Sequence, residues 1–201
     1  MEKYIIAIAG GSGCGKSTLA YSLKDRFPDL IEVVHFDDYH KKKEDLPLLN
    51  GMRNWDHPDA INFSQLYDDL KKLISGKDVE IMTKSSILNP EYEEKGRIHH
   101  LMQSKKIIII EGYMVLLEEK IRKLCNLKIY LDIPLKLGLS RRDKVTYYDE
   151  DEYNKIILSP MQKKYVEPTK EFADIVIDVE KNSKEDVQKI VINKLKEEKV
   201  I

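Results

Sequence analysis

The chain of 201 residues has two cysteines, one tryptophan, no long apolar run and almost no net charge. Cys14 and Cys125 stand far apart without metal-ligand spacing. A disulfide scaffold and a cysteine metal site are therefore not expected, and a reduced, cytoplasmic setting is. Lys and Arg number 34 against 35 Asp and Glu, a net charge of −1. Nothing here favours polyanions in general, so nucleic acid is not an expected partner and any phosphate binding must be local. No apolar run approaches the ~20 residues that a membrane helix needs. A strand is expected almost from Met1, leaving no room for a signal peptide. Internal repeats and low-complexity linkers are also missing. What remains, 42% apolar and 34% charged residues, is an ordinary balance. It suits one α/β domain over 1–201 with a proper core.

The strongest local signal is Gly10-Gly11-Ser12-Gly13-Cys14-Gly15-Lys16-Ser17-Thr18, which fits the P-loop pattern G-x-x-x-x-G-K-[ST]. Its setting is right as well. An apolar, β-branched segment over residues 4–9 reads as a strand, and Leu19 with Leu23 marks one face of a helix after it. The chemistry follows from the residue types. Glycine lets the backbone come close to a phosphate chain and adopt positive φ. The helix N-terminus adds free N–H groups and a positive dipole end. Lys16 offers an ammonium to the β and γ phosphates, and the Ser17 hydroxyl is suited to Mg²⁺. Residues 11–18 are thus the expected binding loop for ATP or GTP.

Further along, residues 30–36 read as a second strand ending at Asp37-Asp38-Tyr39-His40, and residues 63–74 as an amphipathic helix closed by Gly76. A hairpin flap is expected over about 79–104. Four consecutive isoleucines, 107–110, indicate a strand buried on both faces of a parallel sheet, ending at Glu111-Gly112. Strands follow over 127–132 and 175–178, with helices over 135–144 and 150–165. Ser183 to Asp186 forms a capping box that opens the last helix. Alternating strands and helices imply a three-layer α/β fold with right-handed crossovers and a ligand site at the carboxyl ends of the strands. A mobile helical lid is expected over about 138–152.

Several polar residues fall at that end. Glu111, closing an apolar strand, has the Walker B arrangement and is expected near Mg²⁺. Asp37 or Asp38 could accept the proton of an attacking hydroxyl, the other being a turn acid. Arg141 and Arg142 read equally as a phosphate clamp or as a solvated helix face. Trp55 with Tyr39 and His40 could stack on a base, core packing being the equal alternative for Trp55. His99-His100 lacks a carboxylate partner at ligand spacing, and Lys41-Lys42-Lys43 reads as a solvated loop.

These segments together resemble the uridine kinase and phosphoribulokinase family of P-loop kinases. The resemblance runs from the loop at Ala9 to Thr18, through Phe36-Asp37-Asp38-Tyr39-His40-Lys41 and Asn54-Trp55-Asp56-His57-Pro58-Asp59-Ala60. It continues at Glu111-Gly112, at Asp132 with Ser140-Arg141-Arg142, and at Glu167 to Ile177. It implies a P-loop NTPase fold and a magnesium-dependent kinase that phosphorylates a hydroxyl of a small molecule, a nucleoside above all. It assigns the catalytic base and a magnesium contact to Asp37, the sugar contact to Asp56, and the lid to Arg141 and Arg142. A homo-oligomer is allowed. Where uridine kinases carry P-x-Y-D-F in the flap, this chain has Met82-Thr83-Lys84-Ser85-Ser86. Nicotinamide riboside kinases are similar in the same places and also lack Y-D-F, so the acceptor is not fixed by the resemblance.

Overall fold

The computed structural model describes residues 3–85, 87–141 and 150–201. Nine strands occur among them: β1 (Tyr4–Gly10), β2 (Ile31–His35), β3 (Leu48–Leu49), β4 (Met52–Arg53), β5 (Val79–Thr83), β6 (Ile98–Met102), β7 (Ile107–Glu111), β8 (Leu127–Asp132) and β9 (Ile175–Asp178). The helices are α1 (Lys16–Arg26), α2 (Phe63–Ile74), α3 (Tyr92–Lys95), α4 (Glu119–Arg122), α5 (Leu135–Ser140), α6 (Glu150–Tyr153), α7 (Ser159–Met161) and α8 (Lys184–Glu197). Five strands make one parallel sheet in the order β2-β7-β1-β8-β9.

The isoleucine strand shows why the sheet is covered on both sides. Ile108 and Ile110 join one core with Leu66, Leu70 and Leu73 of α2, while Ile107 and Ile109 join the other with Leu19 and Leu23 of α1 and Val191 and Leu195 of α8. Successive side chains point to opposite faces, and all four isoleucines are fully buried. Burial of this kind is worth about 1.5–3 kcal/mol per side chain. The three layers expected from sequence are therefore present, and the two ends of α1 and β7 that matter chemically open on the same edge of the sheet.

Local signals fix the element ends. Asn62 accepts from the Gln65 N–H at the start of α2, and Ser183 accepts from the Asp186 N–H at the start of α8, as N-caps do. The expected flap is the antiparallel hairpin β5–β6, pairing Met82 with His99 and Thr83 with Ile98. It presents Val79, Ile81 and Met102 to the core.

The segment expected as one helix over 150–165 is less regular. It runs through α6, a π-helical turn (Asn154–Leu158), α7, a second π-helical turn (Gln162–Val166) and a 3₁₀ stretch (Glu167–Phe172). Pro160 has no N–H to give to the helical ladder, and the widened turns flank it. The helix expected over 135–144 is described as α5; residues 142–149, which hold Arg142 and most of the expected lid, lie outside the described residues. Among the described residues no helix is long and apolar enough to cross a membrane.

Candidate active site

One cleft of about 1400 Å³ opens at the carboxyl ends of β1, β2 and β7, lined among others by Ser12, Gly13, Lys16, Ser17, Asp37 and Glu111. Its floor is the loop between β1 and α1. Gly15 precedes α1 in the left-handed region, at φ 92°. No acidic residue and no capping side chain occupies the first turn. The first N–H groups of α1 are therefore neither capped nor neutralised, the condition an anion site needs. The Lys16 ammonium donates to the carbonyls of Gly10 (3.1 Å) and Gly11 (2.9 Å), across the mouth of the loop. Gly13, at φ +72°, lies so close to α5 that an added Cβ would stand 1.9 Å from the Gly138 carbonyl oxygen. Gln162, 6% exposed, covers Gly11 in the same way.

Above the loop, β2 and β7 are neighbours and set His35 beside Glu111. His35 Nδ1 lies 2.7 Å from Glu111 Oε1, and both side chains are buried. Burial would lower the His35 pKa, but the hydrogen bond and charge of Glu111 raise it. The next turn carries Asp37 and Asp38 with opposite fates. Asp37 keeps 59% of its side chain open to the cleft. Enclosure by the cleft walls disfavours its charge, yet Lys84, His40 and Lys16 outweigh this and hold its carboxyl below the ordinary carboxylate range. Asp38 is 8% exposed and accepts from the Lys84 N–H at 2.6 Å. Arg97 of the flap donates to the carbonyl oxygens of Asp38 (2.7 Å) and Met82 (3.0 Å). Asp38 thus ties the flap down, and Asp37 faces the open cleft.

A buried carboxylate receiving a backbone N–H is worth about 1.5–3 kcal/mol. Asp38→Ala should therefore loosen the flap, raising amide exchange several-fold at Lys84 and across 79–102. Exchange there equal to that of the unchanged protein would contradict the anchoring role.

The far wall is aromatic. His40 Nδ1 lies 2.9 Å from the Asp37 carbonyl oxygen, and its Nε2 lies 3.1 Å from both the Trp55 carbonyl oxygen and the Tyr113 hydroxyl. Burial, then Lys84, keeps its pKa low. Trp55 lines the cleft rather than the core, with the Lys84 ammonium 5.3 Å over its ring. Tyr153 donates to Asp56 Oδ2 at 2.8 Å and accepts from the Trp55 N–H at 3.2 Å. Asp56 is thereby aimed across the cleft by a residue from a distant part of the chain.

Most of the residues expected from sequence meet here, with exceptions. Tyr39 does not: it is 1% exposed in the core, its hydroxyl directed at Asp69 at 3.4 Å. An aromatic ring facing the α2 side cannot reach a base in the cleft. Cys14 is buried beneath the loop and Thr18 is exposed; neither lines the cleft. Arg141 is exposed at the end of α5, outside the lining, and Arg142 lies outside the described residues. His99 does line the cleft, where its exposed side chain pairs with Glu80 at 2.8 Å. Spacing does not single out Tyr113, Tyr153, Arg97 or Gln162. Of these only Tyr113 carries a signal, as the third residue of Glu111-Gly112-Tyr113.

Ser17, Asp37 and Glu111 offer a hydroxyl and two carboxylates to one region. Among the described residues no three His, Cys, Asp or Glu side chains form a metal cage. That donor set fits Mg²⁺, which keeps several waters and takes one or two carboxylates together with substrate phosphates.

A phosphate loop on a helix terminus facing an open carboxylate across one cleft defines a P-loop kinase. Residues 5–186 match the model of the "Phosphoribulokinase / Uridine kinase family". The chain belongs to that family. It is 35% identical over 189 residues to a protein of Tolumonas auensis named "Uridine kinase", covering 86% of this chain and 85% of that one. It is 30% identical over 203 residues to a "Uridine kinase" of Clostridium perfringens, covering 96% and 94%. Among solved structures, "Structure of a Possible Uridine Kinase from Bacillus stearothermophilus" aligns with a TM-score of 0.66 at 19% identity, over 89% of this chain and 90% of that one. That likeness concerns the fold.

Proposed function

We propose that this protein transfers the γ-phosphate of Mg-bound ATP to the 5′-hydroxyl of a nucleoside of the uridine kind. The observation that carries the reading is the meeting of Lys16, Asp37 and Asp56 around one cleft. The relatives named uridine kinase support a nucleoside acceptor, and give no support to a nicotinamide riboside kinase or to a hydrolytic switch.

Residues 11–18 hold the triphosphate, with loop N–H groups and Lys16 balancing its charge. Ser17, Asp37 and Glu111 hold Mg²⁺, which neutralises charge on the phosphates when bound. Asp56, held by Tyr153, receives hydrogen bonds from the sugar hydroxyls. Asp37 accepts a hydrogen bond from the 5′-hydroxyl and turns that oxygen's lone pair toward the γ-phosphorus; as the new O–P bond forms, the bond from the γ-phosphorus to the bridging oxygen breaks, ADP leaves, and Asp37 takes the hydroxyl proton. Arg141 and Arg142 clamp the phosphates from the lid; the contact of α5 with Gly13 supports this by putting the root of the lid beside the loop. His40 backs Asp37 and the Trp55 carbonyl more than it touches the acceptor. Catalysis of this kind is chiefly positioning and electrostatics. The need for ATP and the two unpaired cysteines support a cytoplasmic site of action.

The test is ADP release with Mg-ATP and a panel of uridine, cytidine, nicotinamide riboside, pantothenate and ribulose 5-phosphate. Release that depends on uridine or cytidine is expected. Equal release with every acceptor and with none would sink the reading.

A further inference from the structure

Resting on the magnesium reading above, we infer that His35 is a positioning residue that aims the Glu111 carboxylate at the metal. A carboxylate at the end of a side chain turns easily, because its last torsion is broad. Glu111 is not free to turn: its Oε1 is held 2.7 Å from His35 Nδ1, which leaves Oε2 for the metal or a metal-bound water. The two residues are register partners on adjacent parallel strands, so both side chains leave the sheet on the same face.

The imidazole is itself fixed from its far edge. His35 Nε2 lies 2.7 Å from the Tyr21 hydroxyl and 3.0 Å from Ser85 Oγ. The Tyr21 ring stacks on it, centroids 5.4 Å apart and planes 21° apart. Tyr21 belongs to α1, the helix that the phosphate loop opens, and Ser85 follows β5 in the flap. His35 therefore joins the loop helix, the flap and the Walker B strand at one ring. With Nδ1–H donating to the carboxylate, Nε2 is the acceptor for a hydroxyl, and the whole chain of donors is consistent. The arrangement inverts a familiar one, in which a carboxylate orients a metal-bound histidine, and loss of such outer partners costs about 10–100-fold in metal affinity or activity.

The experiment measures the affinity of the full chain for a non-hydrolysable ATP analogue, with and without Mg²⁺, by calorimetry. His35→Asn, which keeps a donor near the Nδ1 position, should retain the magnesium-dependent gain in affinity. His35→Gln and His35→Leu should lose about 10-fold or more of it while metal-free binding and melting temperature stay close to the unchanged protein. If Gln or Leu variants keep the full gain, the positioning role is wrong. Should both fail to fold, the Tyr21→Phe/Ser85→Ala double variant, which frees the far edge of the ring, should lose several-fold of the gain. A gain equal to that of the unchanged protein would again overturn the role. An unchanged protein that shows no magnesium-dependent gain would overturn the metal reading itself.

Discussion

Asp37→Asn is expected to lower turnover by about 10²–10⁴-fold, the usual contribution of a positioned general base, with ATP affinity changed by only a few-fold. Asparagine keeps the shape of the side chain and loses its charge and its capacity to take a proton. The surroundings of Asp37 also say what kind of base it is. Lys84, His40 and Lys16 keep its carboxyl ionised and its pKa low, so its ground-state basicity is modest. That suits phosphoryl transfer through a loose transition state, in which alignment of the hydroxyl and charge balance matter more than early proton removal. Asp38→Asn, by contrast, should act through the flap, since Asp38 is spent on the Lys84 N–H. Rapid-quench turnover separates the two. An Asp37→Asn protein with ordinary turnover would remove Asp37 from the chemistry.

Lys16→Ala should be nearly as damaging, costing about 10²–10³-fold in turnover, the range seen when one preorganised charge-stabilising donor is removed. Its ammonium spans the carbonyls of Gly10 and Gly11, so it is preorganised at the mouth of the loop and needs only to swing toward the phosphates. Melting temperature should change little, because the side chain is only partly buried. Nucleotide titration and turnover together test this. Ordinary binding and transfer without Lys16 would contradict the phosphate-loop reading.

The sheet was readable because its signals are local. Four isoleucines in a row can be satisfied only by burial on both faces, and the loop from Gly10 to Thr18 has one physical use between a strand and a helix. The flap was legible as two short apolar runs around a turn. Other features depend on contacts between distant residues and leave no local trace. Tyr39 looks like an aromatic beside an active acid, but the turn of Phe36–Tyr39 directs it into the core. Asp37 and Asp38 are equivalent by position; only the Lys84 N–H and Arg97, from the flap, separate them. The partnership of Tyr153 with Asp56 joins residues 97 positions apart. The π-helical turns around Pro160 look like ordinary helix in sequence, since the missing donor changes the winding without changing the apolar pattern. Asn89 of the flap is buried and donates to the Gly96 carbonyl at 2.7 Å, so it shapes the turn, whereas Lys84 and Tyr92 line the cleft.

Transfer of labelled γ-phosphate from ATP distinguishes a nucleoside kinase from a hydrolase. The full chain, Mg²⁺, γ-labelled ATP and uridine are incubated, and the products are resolved by mass spectrometry. Label is expected in uridine 5′-monophosphate, with little in inorganic phosphate. Label in inorganic phosphate alone, at a rate indifferent to uridine or cytidine, would contradict it.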